Sequence, residues 1–157
     1  MEAVAEISTY EQQRNKPIPS KNHSIVQGNL YFLIRQLFGK QYKILPELSL
    51  KISPKDKVPD LAIYKKLEFT PGLDEVKVKE MPLGVIEILA PSQSMSELIS
   101  KSRKYFDAGI KSYWLVLPDV LTVYVYKAPG DFEVFSKKEI LKDRQLGIEL
   151  DLGEVFK

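Results

Sequence analysis

GVIEILAPSQSMSELISKSRKYFDAGIKSYWLVL, residues 84–117, reads as strand, helix, strand. Gly84 to Leu89 is an almost unbroken apolar run, the pattern of a strand covered on both faces. Glu87 alone interrupts it. The segment APSQS then turns the chain. A helix is expected from Ser94 or Ser96 to Ala108, with Gly109 as its stop. Residues 111–117, KSYWLVL, form the next strand. A crossover of this length joins parallel strands in one sheet.

Working outward, 120–127 (VLTVYVYK) follows Pro118-Asp119 as another strand, and FEVFS at 132–136 is a further short one. LGIELDLGEVF at 146–156 closes the chain as a strand and a docking turn. On the N-terminal side, 65–82 is charged and carries Pro71-Gly72 and Pro82, a loop or short helical excursion. VPDLAIY at 58–64 is a strand whose Pro59 belongs at its start or on an edge. YKILPELSLKI at 42–52 alternates, with Leu48, Leu50 and Ile52 on one side and Glu47, Ser49 and Lys51 on the other. The turn Ser53-Pro54-Lys55-Asp56 pairs these two strands as a hairpin. Residues 22–38 are helical, with Val26, Leu30, Leu33 and Leu37 as the inward stripe and Gly39 as the stop. Residues 1–21 are a polar arm containing Pro17 and Pro19. Mixed hairpins and one crossover give an α/β (α+β) class with a mixed central sheet. The expected organisation is an arm at 1–21 and one domain at 22–157, a size that suits a single core.

Composition narrows the chemistry. The 157-residue chain has no cysteine, which excludes disulfides, thiolate nucleophiles and iron–sulfur clusters. With one histidine, His23, no site built on several imidazoles is available within one chain. There is no G-x-S-x-G elbow. Any metal must therefore be held by oxygen, which favours Mg2+ or Mn2+. A net charge of +2 does not by itself announce a nucleic-acid binder. MEAVAEIST has no basic residue and no long apolar run, unlike a secretory signal. No stretch approaches the ~18 apolar residues of a membrane span. The expected location is cytoplasmic, with no membrane partner.

Several polar residues bear on function. Glu87 shares a strand face with Val85 and Leu89, where an unpaired carboxylate carries a penalty of several kcal/mol; pairing with a lysine would explain it equally well. Asp60, after Pro59, is by itself as ordinary as any turn aspartate. Glu47 alone reads as a solvated strand residue. Lys101 is flanked on its helix by Leu98 and Tyr105 at i−3 and i+4, so it points inward, whereas Lys104 neighbours Ser100, Lys101 and Asp107. Snorkelling is the plain alternative. As a set, the carboxylates suit a divalent cation and the lysine suits stabilisation of growing negative charge.

Pro59-Asp60 followed by Glu87 in GVIEILAPSQS resembles the PD-(D/E)XK restriction-endonuclease-like superfamily. The run from Val85 to Pro118, with KPIPSKNHSIVQGNL upstream, is similar to the Uma-type family of bacterial restriction endonucleases. The resemblance covers roughly 17–157. It implies a mixed sheet flanked by helices, with the acids converging near a split in the sheet. Asp60 and Glu87 would hold Mg2+ or Mn2+, Glu47 would assist, and Asp60, Glu87 and Lys101 would form the catalytic set. The usual Glu-x-Lys lysine is absent, because position 89 is Leu; Lys101, one turn before Tyr105, matches the lysine of the Uma-type pattern. His23 and Gln93 would support the site, although helix-start and loop roles explain them too. The implied activity is metal-dependent endonuclease cleavage of phosphodiesters, in DNA, by a homodimer. The run 113–126 offers an edge for self-association or simply core. The alternatives are an inactive nuclease-fold module binding nucleic acid or a partner protein, and a paired-carboxylate glycosidase.

Overall fold

A computed structural model describes residues 11–12 and 16–157 of the chain. The elements run α1 (Lys21–Phe38), β1 (Lys43–Pro46), β2 (Leu61–Tyr64), β3 (Gly84–Ile88), α2 (Met95–Asp107), β4 (Ser112–Leu117), β5 (Thr122–Ala128), β6 (Asp131–Ser136), β7 (Ile140–Asp143), β8 (Ile148–Asp151) and a short α3 (Leu152–Val155). A 3-10 turn at Pro118–Val120 links β4 to β5. Most of the expected arm, residues 1–10 and 13–15, lies outside the described residues.

Strands β1 to β6 make one sheet in sequence order, and β7 and β8 make a separate hairpin. β3 and β4 pair in parallel, joined by α2; the other neighbours in the sheet are antiparallel. The crossover expected from residues 84–117 is thus the one parallel connection of the sheet. β3 and β4 are buried at every position, as unbroken apolar runs require.

Alternation along β3 divides the core. Ile86 and Ile88 join Leu30, Ile34 and Trp114 on the face covered by α1, the β7–β8 hairpin and α3. Val85 joins Leu98, Tyr105 and Tyr113 on the face covered by α2 and the chain between β1 and β3. Glu87 follows Val85 and so points toward α2. Tyr113 and Tyr126 are buried here, so the aromatic run of β4 and β5 serves the core at these positions.

The structure departs from the sequence pattern in three places. Burial on α1 centres on His23, Val26, Leu30 and Ile34, one position round from the expected stripe; Leu33 is half-buried and Leu37 is 57% exposed. The expected strand over 42–52 stops at Pro46, because Glu47 has φ +54° and turns the chain out of extended geometry. Leu50 keeps only isolated bridges to Lys57 and Val78. Third, β7 has no counterpart in the reading. Its last residue, the buried Asp143, accepts hydrogen bonds from Ser112 Oγ, Trp114 Nε1 (2.7 Å), and the backbone N–H groups of Gln145 (2.9 Å) and Leu146 (3.0 Å). This carboxylate ties the small hairpin to the main sheet. Among the described residues, no helix is long and apolar enough to cross a membrane.

Candidate functional site

The site forms where the β2–β3 ladder ends. That ladder runs to Leu61 opposite Ile86, so the next pair would be Asp60 and Glu87. Instead, the Asp60 carboxylate takes over the role of a backbone acceptor: its Oδ2 receives the N–H of Ile88 at 2.7 Å. Glu47, left-handed just beyond β1, is held by its own N–H on the Asp60 carbonyl at 3.2 Å. A non-glycine residue in this region carries about 1–3 kcal/mol of strain, a cost typical of positions held for a purpose.

Asp60 and Glu87 are each only 1% exposed. Asp60 Oδ1 lies 2.6 Å from Lys16 Nζ, and Oδ2 lies 3.1 Å from His23 Nε2. Lys16 Nζ also meets Glu47 Oε2 at 2.9 Å. On the far side, Glu87 Oε2 faces Lys101 Nζ at 3.3 Å, and Glu87 Oε1 accepts from Tyr105 Oη at 3.0 Å. Lys16, His23, Glu47, Asp60, Glu87 and Gln93 line one cleft, with Pro17 and Pro19 at its wall.

Every site residue singled out in the sequence reaches this region. His23 stands in the first turn of α1, where Ser20 caps the helix by accepting from the His23 N–H. Lys101 is largely covered, while Lys104 is exposed. Gln93 keeps its loop role as well, since its Oε1 accepts from the Ala90 N–H at 3.1 Å. Two residues were missed. Gln27 donates to the Asp60 carbonyl at 3.0 Å and to Glu47 Oε1 at 3.3 Å. Its spacing of four from His23 on a helix was a usable signal. Lys16 lies in a polar stretch without periodicity, and nothing in its neighbours marks it.

The two central carboxyls are driven apart. Burial pushes Asp60 upward, but the His23 hydrogen bond and the Lys16 charge outweigh it and hold Asp60 below its ordinary pKa. Burial pushes Glu87 above its ordinary pKa; Lys101 opposes this, and the Asp60 charge adds to it. Burial also favours a neutral Lys16, but the charges of Asp60 and Glu87 prevail and raise its pKa. The two buried acids are thus shifted in opposite directions, the kind of divergence that separates acid from base roles.

Glu87 gives a stability prediction. A raised native pKa means that the folded state holds the proton more tightly; its contribution is fully present below the unfolded value of about 4.3 and is lost as pH rises through the native pKa. Glu87→Gln, which cannot ionise, should therefore gain stability relative to wild type as pH rises above about 4.3, by up to about 1.4 kcal/mol per pH unit within that window. Urea denaturation at a series of pH values in EDTA measures the difference. A pH-independent difference would contradict the assignment.

The donor chemistry suits a hard divalent cation. Carboxylate oxygens of Glu47 and Asp60 already converge on one positive charge, the Lys16 ammonium, and Glu87 borders the same cleft. Among the described residues, no three His, Asp or Glu side chains are disposed to hold a metal as they stand.

Comparison with known proteins bears on the fold and on the family. A crystal structure described as a "putative nuclease belonging to DUF820" from Anabaena variabilis superposes with a TM-score of 0.78 at 23% identity, covering 90% of this chain and 83% of that one. The likeness establishes the fold. A cryoEM structure of a DrdV–DNA complex aligns with a TM-score of 0.48 at 13% identity, over 87% of this chain and 11% of that chain, too distant to bear on the site. No curated protein matches. The profile of the Uma2 family, described as "Putative restriction endonuclease", matches residues 10–153, and the chain belongs to that family.

Proposed function

We propose that the protein is a Mg2+- or Mn2+-dependent endonuclease that hydrolyses phosphodiester bonds, with DNA as its substrate. The observation that carries this reading is the convergence of Glu47, Asp60 and Glu87 on one cleft, with the Lys101 ammonium on Glu87. Family membership supports the reaction class.

In this mechanism Asp60, Glu87 and Glu47 would hold the cation. When bound, a divalent ion polarises a phosphoryl oxygen and lowers the pKa of water. The chain's own groups do the rest. His23 and the Ile88 N–H fix the Asp60 carboxylate, so its orientation is set before substrate arrives. Tyr105 fixes Glu87 in the same way. Lys101 supplies positive charge where the phosphoryl oxygens gain negative charge.

A polyanionic substrate fits the surroundings. Burial lowers the Lys57 pKa, and the charges of Lys104, Lys101 and Lys55 lower it further, so these four ammonium groups share a neighbourhood. A phosphate backbone relieves that repulsion. A second cleft, about 650 Å³, shares His23 and Gln93 with the acid site and is lined by Asn22, Leu89, Leu117 and Tyr124, a size suited to a nucleotide. We further propose that residues 22–157 act as one nuclease domain in the cytoplasm, as a homodimer that cuts both strands of a duplex.

The test is cleavage of supercoiled plasmid in Mn2+ and Mg2+. Lys101→Met should slow cleavage by about 10²–10³-fold with metal affinity retained, the magnitude of losing one group that stabilises transition-state charge. Wild-type protein that shifts DNA in a gel yet cuts nothing would convert the reading to a binding module.

A further inference from the structure

Lys16 occupies the position that the metal-site reading reserves for a cation. Its ammonium touches Asp60 Oδ1 and Glu47 Oε2 at once, at 2.6 and 2.9 Å, while only 7% exposed. Divalent ions bind carboxylate oxygens at about 2.0–2.1 Å for Mg2+. An ion on the same two oxygens would lie within hydrogen-bonding range of the ammonium, and two cations cannot share that place. The space left in the cleft, about 10 Å³, admits about one water. Mg2+ normally keeps several waters.

The backbone makes the obstruction a unit. Lys16 precedes Pro17, so its backbone is steered away from helix, and Pro17 and Pro19 each have a fixed φ. Both prolines line the cleft, and Ser20 then anchors the segment as the cap of α1. Segment 16–19 thus both plugs and roofs the acids.

We infer that Lys16 is an intramolecular cation plug: segment 16–19 holds the carboxylates in a closed arrangement, and a divalent ion binds only as Lys16 withdraws. The inference rests on the metal-site reading above and adds a regulatory step to it. The departing ammonium is freed for substrate phosphate, so polyanion and metal would open the site together.

The experiment measures Mn2+ binding by calorimetry for wild type, Lys16→Gln and Lys16→Arg. Lys16→Gln should bind Mn2+ at least tenfold more tightly than wild type, while Lys16→Arg, which keeps the charge, should remain close to wild type. Equal or weaker binding by a folded Lys16→Gln overturns the plug and leaves the metal site standing. No Mn2+ binding by any of the three overturns both. Because the natural chain has no cysteine, a Gln12→Cys substitution with Lys16 retained carries a single environment-sensitive dye. Its emission should shift at the Mn2+ concentrations that raise the melting temperature. A silent dye at those concentrations sinks the withdrawal even if Lys16→Gln fails to fold.

Discussion

Asp60→Asn is expected to reduce metal-dependent cleavage by about 10³-fold with the fold retained. The asparagine oxygen can still accept the Ile88 N–H, the contact that seals the end of the β2–β3 ladder. What it cannot do is carry charge. The ion pair to Lys16 and the contact with His23 both rely on the carboxylate, whose pKa those groups hold down against burial. The stability effect has a defined sign. A depressed native pKa contributes stability above the unfolded value of about 3.9, and that stability disappears as pH falls through the native pKa. Wild type should therefore exceed Asp60→Asn in stability at neutral pH, and the two should converge in acid. Plasmid cleavage, circular dichroism and urea denaturation together test this. A folded Asp60→Asn protein with undiminished cleavage would remove the acids from the mechanism.

The largest effect on stability is expected at Asp143. Its Oδ2 accepts from Ser112 Oγ and Trp114 Nε1, and its Oδ1 accepts from the N–H groups of Gln145 and Leu146. Asp143→Ala strands these buried donors and should cost about 3–5 kcal/mol. Asp143→Asn is no remedy, because its NH2 group must face donors on one side or the other. Urea denaturation measures the cost. The single tryptophan of the chain, Trp114, donates to this carboxylate, so its emission reports the damage directly. A loss below about 1 kcal/mol would mean that the hairpin is held by its apolar contacts alone.

Much of this architecture could be read from residue pattern. The burial of β3 and β4, the crossover helix and the hairpin of β1 with β2 follow from apolar runs, caps and turns, which are local signals. Lys101 was legible because helical periodicity separates it from Lys104. The strand expected to run through Glu47 stops short of it: strand alternation assumes extended backbone, and one left-handed residue breaks that assumption without any mark in composition. Lys16 and Asp143 were not legible because their partners lie far along the chain: 44 residues separate Lys16 from Asp60, and 29 separate Asp143 from Trp114. Leu37 shows the remaining weakness. A stripe drawn from sequence fixes a helix face to within about one position, and the end of a helix need not be covered.

The order of the main sheet has a consequence for how the molecule comes into being. Since β1 to β6 lie side by side in the order they are translated, each new strand finds its neighbour already made. Such local pairing favours rapid, stepwise assembly during synthesis. The acids would meet as soon as β3 is laid down, well before β7 and β8 follow. The opposite face would wait: Leu30 and Ile34 share their core with Leu150 and Val155, so the apolar side of α1 stays incompletely covered until residues 150–155 have emerged. A nascent chain stalled short of β7 would therefore present a finished acid cleft and a sticky back, a state for chaperones to shield.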